Sequence, residues 1–299
     1  MDPKFKLPGL EFFQFISSGG FGSVYQYKSK FTGRFYAVKQ VEFLPLVKNM
    51  KSANNLLTDA EAMEKAEKYM MREVEIQFLI QEEERKKGTI EWNMPLFYFV
   101  CANPDNPKDF LFVCEFCEKS SLRKLIDEVC KNKTPFPEKE VLRIIYGVLK
   151  AVKTLHSLNL AHRDISPDNI LFDAKNVPKL IDFGAGRRAD SLYSKLTFTF
   201  SKANYAPPEL DDPNFAYTDE ILIKGDIWEL GIVLYEMIDP PLNPRKIFLL
   251  GSKNYASLEK TPYSKDLKVL VEKICLEDYK FRPSVDEILK NDLFKDFIV

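Results

Sequence analysis

Cysteine is scarce in this 299-residue chain, which carries five: Cys101, Cys114, Cys117, Cys130 and Cys275. The first residues, MDPKFKLPGLEFFQF, also lack the apolar core of a signal peptide, so a disulfide framework is not expected. Cys114-x2-Cys117, flanked by Cys101 and Cys130, has a spacing that raises zinc. Cys114, however, lies in the apolar run FLFVCEF, where neighbouring side chains face alternate sides of a strand, and zinc is not expected either. Glycine is sparse as well, 12 residues against 24 Phe, and with 45% apolar and 29% charged residues this excludes a collagenous or mainly disordered chain. No apolar run approaches the ~18 residues that a membrane span needs. An excess of one charge is also missing. With 43 basic and 44 acidic residues the formal charge is −1, which gives no global pull toward nucleic acid or an anionic membrane. The expectation is a globular protein of the cytoplasm or nucleus, long enough for two lobes.

Residues 11–41 hold three short aromatic and β-branched runs, EFFQFIS, SVYQYKS and RFYAVKQV, separated by Gly-rich and Thr-Gly turns, the pattern of an antiparallel meander. A polar stretch around Lys48–Asn55 follows. Thr58-Asp-Ala-Glu61 then reads as a capping box, opening a helix of about 26 residues, roughly 39 Å long. Two more strand-like runs, PLFYFVC and DFLFVCEF, complete a lobe that is mostly sheet with one main helix. Thereafter the pattern is helical. Val141, Ile144, Ile145, Val148, Val152 and Leu155 mark one face of a helix beginning near Pro137. Short β segments are expected near Ile170–Phe172 and Lys179–Ile181, and helix resumes from Gly225.

Three features recur in order along this framework. They are the Gly-rich turn Ile16-Ser17-Ser18-Gly19-Gly20-Phe21-Gly22-Ser23-Val24, the strand lysine of Ala37-Val38-Lys39, and the clusters His162-Arg163-Asp164 and Asp182-Phe183-Gly184. In this order and spacing they resemble the eukaryotic protein kinase family, from Ile16 to about Phe294. The resemblance implies an α+β, bilobal protein-kinase fold. A single catalytic domain would span 1–299, with an N-lobe over about 1–116 and a C-lobe over about 117–299.

The resemblance also assigns roles. Ile16, Ser17, Ser18, Gly19, Gly20, Phe21 and Gly22 would cover the phosphates of ATP, with backbone N–H groups approaching the anion. Ser17 replaces the usual first glycine. Val24 and Ala37 would line the adenine pocket. Cys114 falls at the gatekeeper position, and backbone groups of Glu115 and Cys117 would bond adenine. Lys39 would hold the α- and β-phosphates and, as an inward lysine on an apolar strand, needs an anionic partner. Glu73 and Glu75 both lie on the long helix, about 200° apart, so only one can face Lys39. The segment Arg72-Glu-Val-Glu-Ile-Gln77 resembles the matching helix of Aurora kinases, which selects Glu73. Asp164 would accept the substrate hydroxyl proton, and Asn169 and Asp182 would ligate Mg2+.

Several residues depart from the family pattern. Ser166 stands where Ser/Thr-specific members carry lysine, and Lys202 stands where they carry threonine, which suggests a swap in which Lys202 reaches back to Asp164; the alternative is a solvated loop lysine. Arg163 beside Asp164 marks members controlled by phosphorylation, with Ser191, Tyr193, Ser194, Thr197 and Thr199 as candidate acceptors. Asp226 would hold the catalytic-loop backbone, with Glu229 in place of a usual serine, and Arg282 would pair with Glu209. Asp168 and Glu236 match acidic positions that favour arginine-bearing substrates in basophilic members. The implied function is transfer of the γ-phosphoryl group of Mg-ATP to a Ser or Thr hydroxyl of a protein substrate, under an upstream kinase or regulatory protein. The alternative is an inactive nucleotide-binding scaffold. The insertion between Lys39 and Glu73 is either a partner-docking element or a tolerated surface insertion.

Overall fold

The aromatic runs at the N-terminus do form strands: β1 (Leu10–Gly19), β2 (Gly22–Ser29) and β3 (Phe35–Val41). The computed structural model describes residues 5–19, 22–53, 55–88, 92–188, 205–211, 218–240 and 255–298. With β4 (Phe97–Asn103) and β5 (Asn106–Glu115), these strands make an antiparallel five-stranded sheet of order β1-β2-β3-β5-β4. The chain divides into two units, Met1–Gly88 with Pro95–Cys117, and Thr89–Met94 with Glu118–Val299.

In the first unit the period-2 alternation of β3 and β5 splits their residues between two cores. Val38, Leu111 and Val113 pack with Tyr25, Tyr27, Phe5 and Leu7 on one face. Val41 and Phe112 face the other way, onto two helices. One is α2 (Asp59–Lys87), which opens on the expected capping box. The Glu61 N–H donates to Thr58 Oγ1 (3.3 Å), and Glu61 Oε2 accepts the Thr58 N–H (2.9 Å) and hydroxyl (2.8 Å), two bonds that hold its carboxyl below its ordinary range. Its buried stripe, Ala62, Ala66, Met70, Glu73, Ile76 and Ile80, advances by three or four residues a step.

The other helix, α1 (Phe43–Ala53), corrects the reading of a polar insertion. Phe43, Leu46 and Val47 stand at i, i+3 and i+4 and are buried against Ala62, Ala66 and Met70. Pro45 is tolerated because it falls in the first turn, where no intrahelical N–H bond is lost. The Phe43 N–H, otherwise orphaned at the helix start, donates to Asp109 Oδ1 (3.0 Å) on β5, while Gln40 Nε2 donates to Asp109 Oδ2 (3.1 Å). The insertion is therefore an amphipathic helix anchored on the sheet and packed along α2.

The second unit is mainly helical. It comprises α3 (Leu122–Asn132), α4 (Glu138–Ser157), β6 (Leu160–Ala161), the hairpin β7 (Ile170–Phe172) and β8 (Pro178–Leu180), β9 (Arg187–Arg188), α5 (Asp219–Ile238), α6 (Lys265–Ile274) and α7 (Val285–Leu289). Helix α4 follows Pro137 as expected. Helix α5 starts at Asp219, ahead of the Gly225 expected from sequence, with Asp219 and Glu220 in its first turn, where carboxylates suit the helix dipole. Sequence reading also missed a short segment at 92–94. Asn93 Nδ2 donates to Pro178 O (3.0 Å) and the Leu180 N–H to Asn93 O (2.8 Å), fixing the outer edge of β8. Among the described residues no helix is long and apolar enough to cross a membrane.

Leu46→Ala should destabilise the protein by about 2–5 kcal/mol in urea unfolding, because the Leu46 side chain is fully buried between α1 and α2. Leu44→Ala, two residues earlier in α1 and exposed, should change stability by no more than about 0.5 kcal/mol.

Candidate active site

In the first unit, strand register gathers the expected nucleotide-binding side chains. Val24 pairs with Lys39, Lys39 with Phe112 and Ala37 with Cys114, so Val24, Ala37, Lys39 and Cys114 share one face of β2, β3 and β5. The Lys39 ammonium lies 2.6 Å from Glu73 Oε1. Glu73 is 3% exposed and sits on the inner stripe of α2, whereas Glu75 is exposed, so the helix itself decides between the two glutamates. The Cys114 thiol stays neutral: burial, then the Glu73 carboxylate, push it up to about 12, against a weaker opposing pull from Lys39. The Glu115 N–H donates to Leu96 O (2.7 Å) and the Glu115 side chain accepts the Leu96 N–H (3.0 Å), which pins the end of β5. Cys117 is buried.

Register also shapes the Gly-rich turn. Ser17 pairs with Val24, Ser18 with Ser23 and Gly19 with Gly22, leaving a two-residue connection whose Gly20 and Phe21 lie outside the described residues. Ile16, Ser17, Ser18 and Gly19 are exposed. The two described glycines differ in kind. At Gly22, with φ +155°, a Cβ would come within 1.8 Å of the Gln40 carbonyl oxygen; at Gly19 a Cβ would meet nothing within 4 Å. Gly22 is thus demanded by the approach of β2 to β3, while Gly19 leaves open space beside the strand end.

In the second unit the β7–β8 hairpin brings the two expected metal-ligating residues together. Ile170 pairs with Leu180, and the Ile181 N–H donates to Asn169 O (2.9 Å), which sets Asn169 beside Asp182 at the open end of the hairpin. Asn169 Nδ2 donates to both Asp164 O (2.9 Å) and Asp164 Oδ2 (2.5 Å). That amide group orients the Asp164 carboxylate and turns its own carbonyl oxygen away from it. Asp182 has φ +67°, an uncommon conformation outside glycine that aspartate tolerates, and its Oδ1 accepts the Gly184 N–H (3.4 Å).

The loop carrying Asp164 is irregular, so its amides need acceptors from elsewhere. Asp226 on α5, fully buried, accepts the His162 N–H on Oδ2 and the Arg163 N–H on Oδ1, both at 2.8 Å, and its Oδ2 also lies 2.9 Å from His156 Nε2. His162 Nε2 donates to Ile181 O (3.1 Å), its Nδ1 accepts the Asp164 N–H (3.2 Å), and its ring meets Phe183 edge-on at 5.4 Å. The expected scaffold pair is bidentate: Arg282 reaches Glu209 Oε1 at 2.7 Å and Oε2 at 2.6 Å and stacks over Trp228.

One expectation is revised. Glu236 is not an open acidic position, because Arg123 on α3 holds both of its oxygens (2.6 and 3.0 Å), donates to Tyr205 OH (2.6 Å) and lies 3.8 Å from Asp168. The internal guanidinium has the geometry of a bidentate carboxylate contact, a pairing that the sequence separation of 113 residues hid. Ser166 is fully buried. Lys202 and the candidate acceptors Ser191, Tyr193, Ser194, Thr197 and Thr199 lie outside the described residues. All five cysteines are free, and among the described residues no group of three or more His, Cys, Asp or Glu is placed to hold a metal ion.

Comparison with known proteins matches residues 10–294 to the family described as protein kinase domain. Serine/threonine-protein kinase Nek2 of Homo sapiens is 30% identical over 241 residues, which cover 76% of this chain and 52% of Nek2. Serine/threonine-protein kinase TIO of Arabidopsis thaliana is 27% identical over 241 residues, 79% of this chain and 15% of TIO. The Neither inactivation nor afterpotential protein C of Drosophila melanogaster is 30% identical over 153 residues, 50% of this chain and 10% of that protein. The chain thus spans about half the length of Nek2 and far less of the others.

Gly22→Ala should lower stability by about 2–5 kcal/mol, the sum of a backbone collision and an unfavourable φ. Gly19→Ala should stay within about 0.5 kcal/mol of the parent. Thermal unfolding of the two variants in parallel separates these outcomes.

Proposed function

The chain belongs to the protein kinase family, and from that premise we propose that it is an active kinase transferring the γ-phosphoryl group of ATP to a Ser or Thr hydroxyl of a protein substrate. The observation that carries this reading is the 2.6 Å pair between Lys39 and Glu73, one of the two arrangements on which kinase catalysis depends. The second arrangement involves the metal. Asn169 and Asp182 offer an amide oxygen and a carboxylate, hard donors that suit Mg2+, and a metal that keeps waters and phosphate oxygens needs no larger protein cluster. When bound, magnesium would offset the phosphate charge.

The remaining work falls to the chain's own side chains. Lys39, fixed by Glu73, would hold the α- and β-phosphates. Val24, Ala37 and the neutral thiol of Cys114 would face the adenine ring, with the Glu115 carbonyl and the Cys117 backbone as its hydrogen-bonding partners. Asp164, held by Asn169, would take the hydroxyl proton and direct the oxygen in line with the γ-phosphorus. Ser/Thr acceptors are supported by the likeness to Nek2 and TIO, both serine/threonine-protein kinases, and by the lack, after Asp164, of the alanine-arginine pattern of tyrosine-specific members. Arg163, which reaches Ala185 O at 3.3 Å, supports control by an upstream kinase acting on the segment that follows.

Transfer of labelled γ-phosphate to a generic substrate protein tests the reading. The parent should turn over with magnesium, and Asp164→Asn and Asp182→Asn should each lose about 10²–10⁴-fold. A parent no faster than Asp164→Asn would instead mark a nucleotide-binding scaffold. In a positional peptide library the parent should show no marked arginine enrichment, because Arg123 already neutralises Glu236; strong enrichment would contradict that assignment.

A further inference from the structure

Four consecutive backbone N–H groups, 162 to 165, lead through the catalytic loop, and each has its own acceptor. Asp226 takes the first two and His162 Nδ1 takes that of Asp164. The fourth, Ile165 N–H, directly after Asp164, donates to Glu229 Oε2 at 2.7 Å. Glu229 stands three residues after Asp226, on the same side of α5, and is 2% exposed. A carboxyl buried this deeply, within one helical turn of a second buried carboxylate, is a costly choice for an ordinary core position.

We propose that Glu229 is a positioning residue of the phosphoryl-transfer loop, accepting the Ile165 N–H and so fixing the peptide plane that follows Asp164. Together with Asp226 it brackets the Asp164 backbone: one acid holds the amides before it, the other holds the amide after it. Orientation of the Asp164 carboxylate is then restrained by Asn169 on the side chain and, on the main chain, by Glu229 alongside His162.

The groups around Glu229 set the form in which it acts. Burial and the carboxylates of Asp226 and Asp164 push its pKa well above the ordinary carboxylate range, while the Ile165 N–H and Arg163 pull the other way; His156 on α4 faces Asp226 rather than Glu229. A raised pKa means that the protonated, neutral carboxyl persists to higher pH, and a neutral carboxyl still accepts an N–H on its carbonyl oxygen. Glutamine offers an amide oxygen at the same reach and should replace it. Serine or alanine cannot span the distance.

The kinetic consequence rests on the kinase reading above; the hydrogen bond does not. The test therefore combines amide hydrogen exchange with steady-state kinetics on the full chain and on Glu229→Ala, Glu229→Ser and Glu229→Gln. In the Ala and Ser variants Ile165 should exchange at least about tenfold faster, since its acceptor is gone, while His162 and Arg163, held by Asp226, keep their protection. In the same two variants kcat should fall roughly ten- to hundredfold with the KM for ATP within about twofold. Glu229→Gln should restore both readouts, and Ser serves if Ala does not fold. Unchanged Ile165 exchange in Ala and Ser, or a Gln variant that behaves like Ala, overturns the proposal. The expected exchange pattern in a chain with no turnover leaves Glu229's hold on the loop standing and removes the active-kinase reading instead.

Discussion

The carboxylate of Asp226 is the contact on which the loop carrying Asp164 depends. It is fully buried, and both oxygens are spent on main-chain amides of His162 and Arg163. Arg163 is held at φ +67°, a left-handed conformation that costs a non-glycine residue about 1–2 kcal/mol. Two hydrogen bonds to a buried anion, each worth about 1.5–3 kcal/mol, more than offset that strain. The turn they enforce is what delivers Asp164 to Asn169 and places the His162 ring against Ile181 and Phe183. Without the buried acid, the His162 and Arg163 amides would lose these acceptors, and the left-handed turn at Arg163 would lose its offset.

In the first unit the same job is done by apolar packing. Glu73 follows Met70 on the buried stripe of α2, and Met70 packs with Leu46 and Val47 of α1. The glutamate is therefore presented to Lys39 by a core that α1 helps to complete. On β3 the alternation is equally tight, with Val38 fully buried in one core and Lys39 facing the other side. In both units each chemistry-bearing side chain is within three residues of a fully buried apolar one. This is how the fold gives precise positions to groups that water would otherwise solvate.

Periodicity and spacing made much of this legible. The strand meander, the Thr58 capping box and the helix after Pro137 follow from local rules, whereas Glu73 is preferred to Glu75 only on the resemblance to Aurora kinases; the structure has each of them, including a Lys39–Glu73 pair. Helix α1 was hidden because Phe43, Leu46 and Val47 are few among lysines and asparagines, and because its N-terminal acceptor, Asp109, comes from a strand 66 residues away. The Arg123–Glu236 pair and the Glu229–Ile165 bond were hidden for the same reason, since they join residues that only the folded chain makes neighbours. Short motifs identify which residue types belong to a site. Which carboxylate is open and which is already occupied depends on long-range partners that no local pattern contains.

The proposed function gives Lys39 and Asp182 different roles toward ATP, the first as a direct cation and the second through magnesium. Equilibrium binding of ATP, with and without magnesium, to the parent, Lys39→Ala and Asp182→Asn tests it most directly. Lys39→Ala should weaken ATP binding in both conditions, whereas Asp182→Asn should weaken it only when magnesium is present. If both variants bind ATP as the parent does, in either condition, the account is wrong.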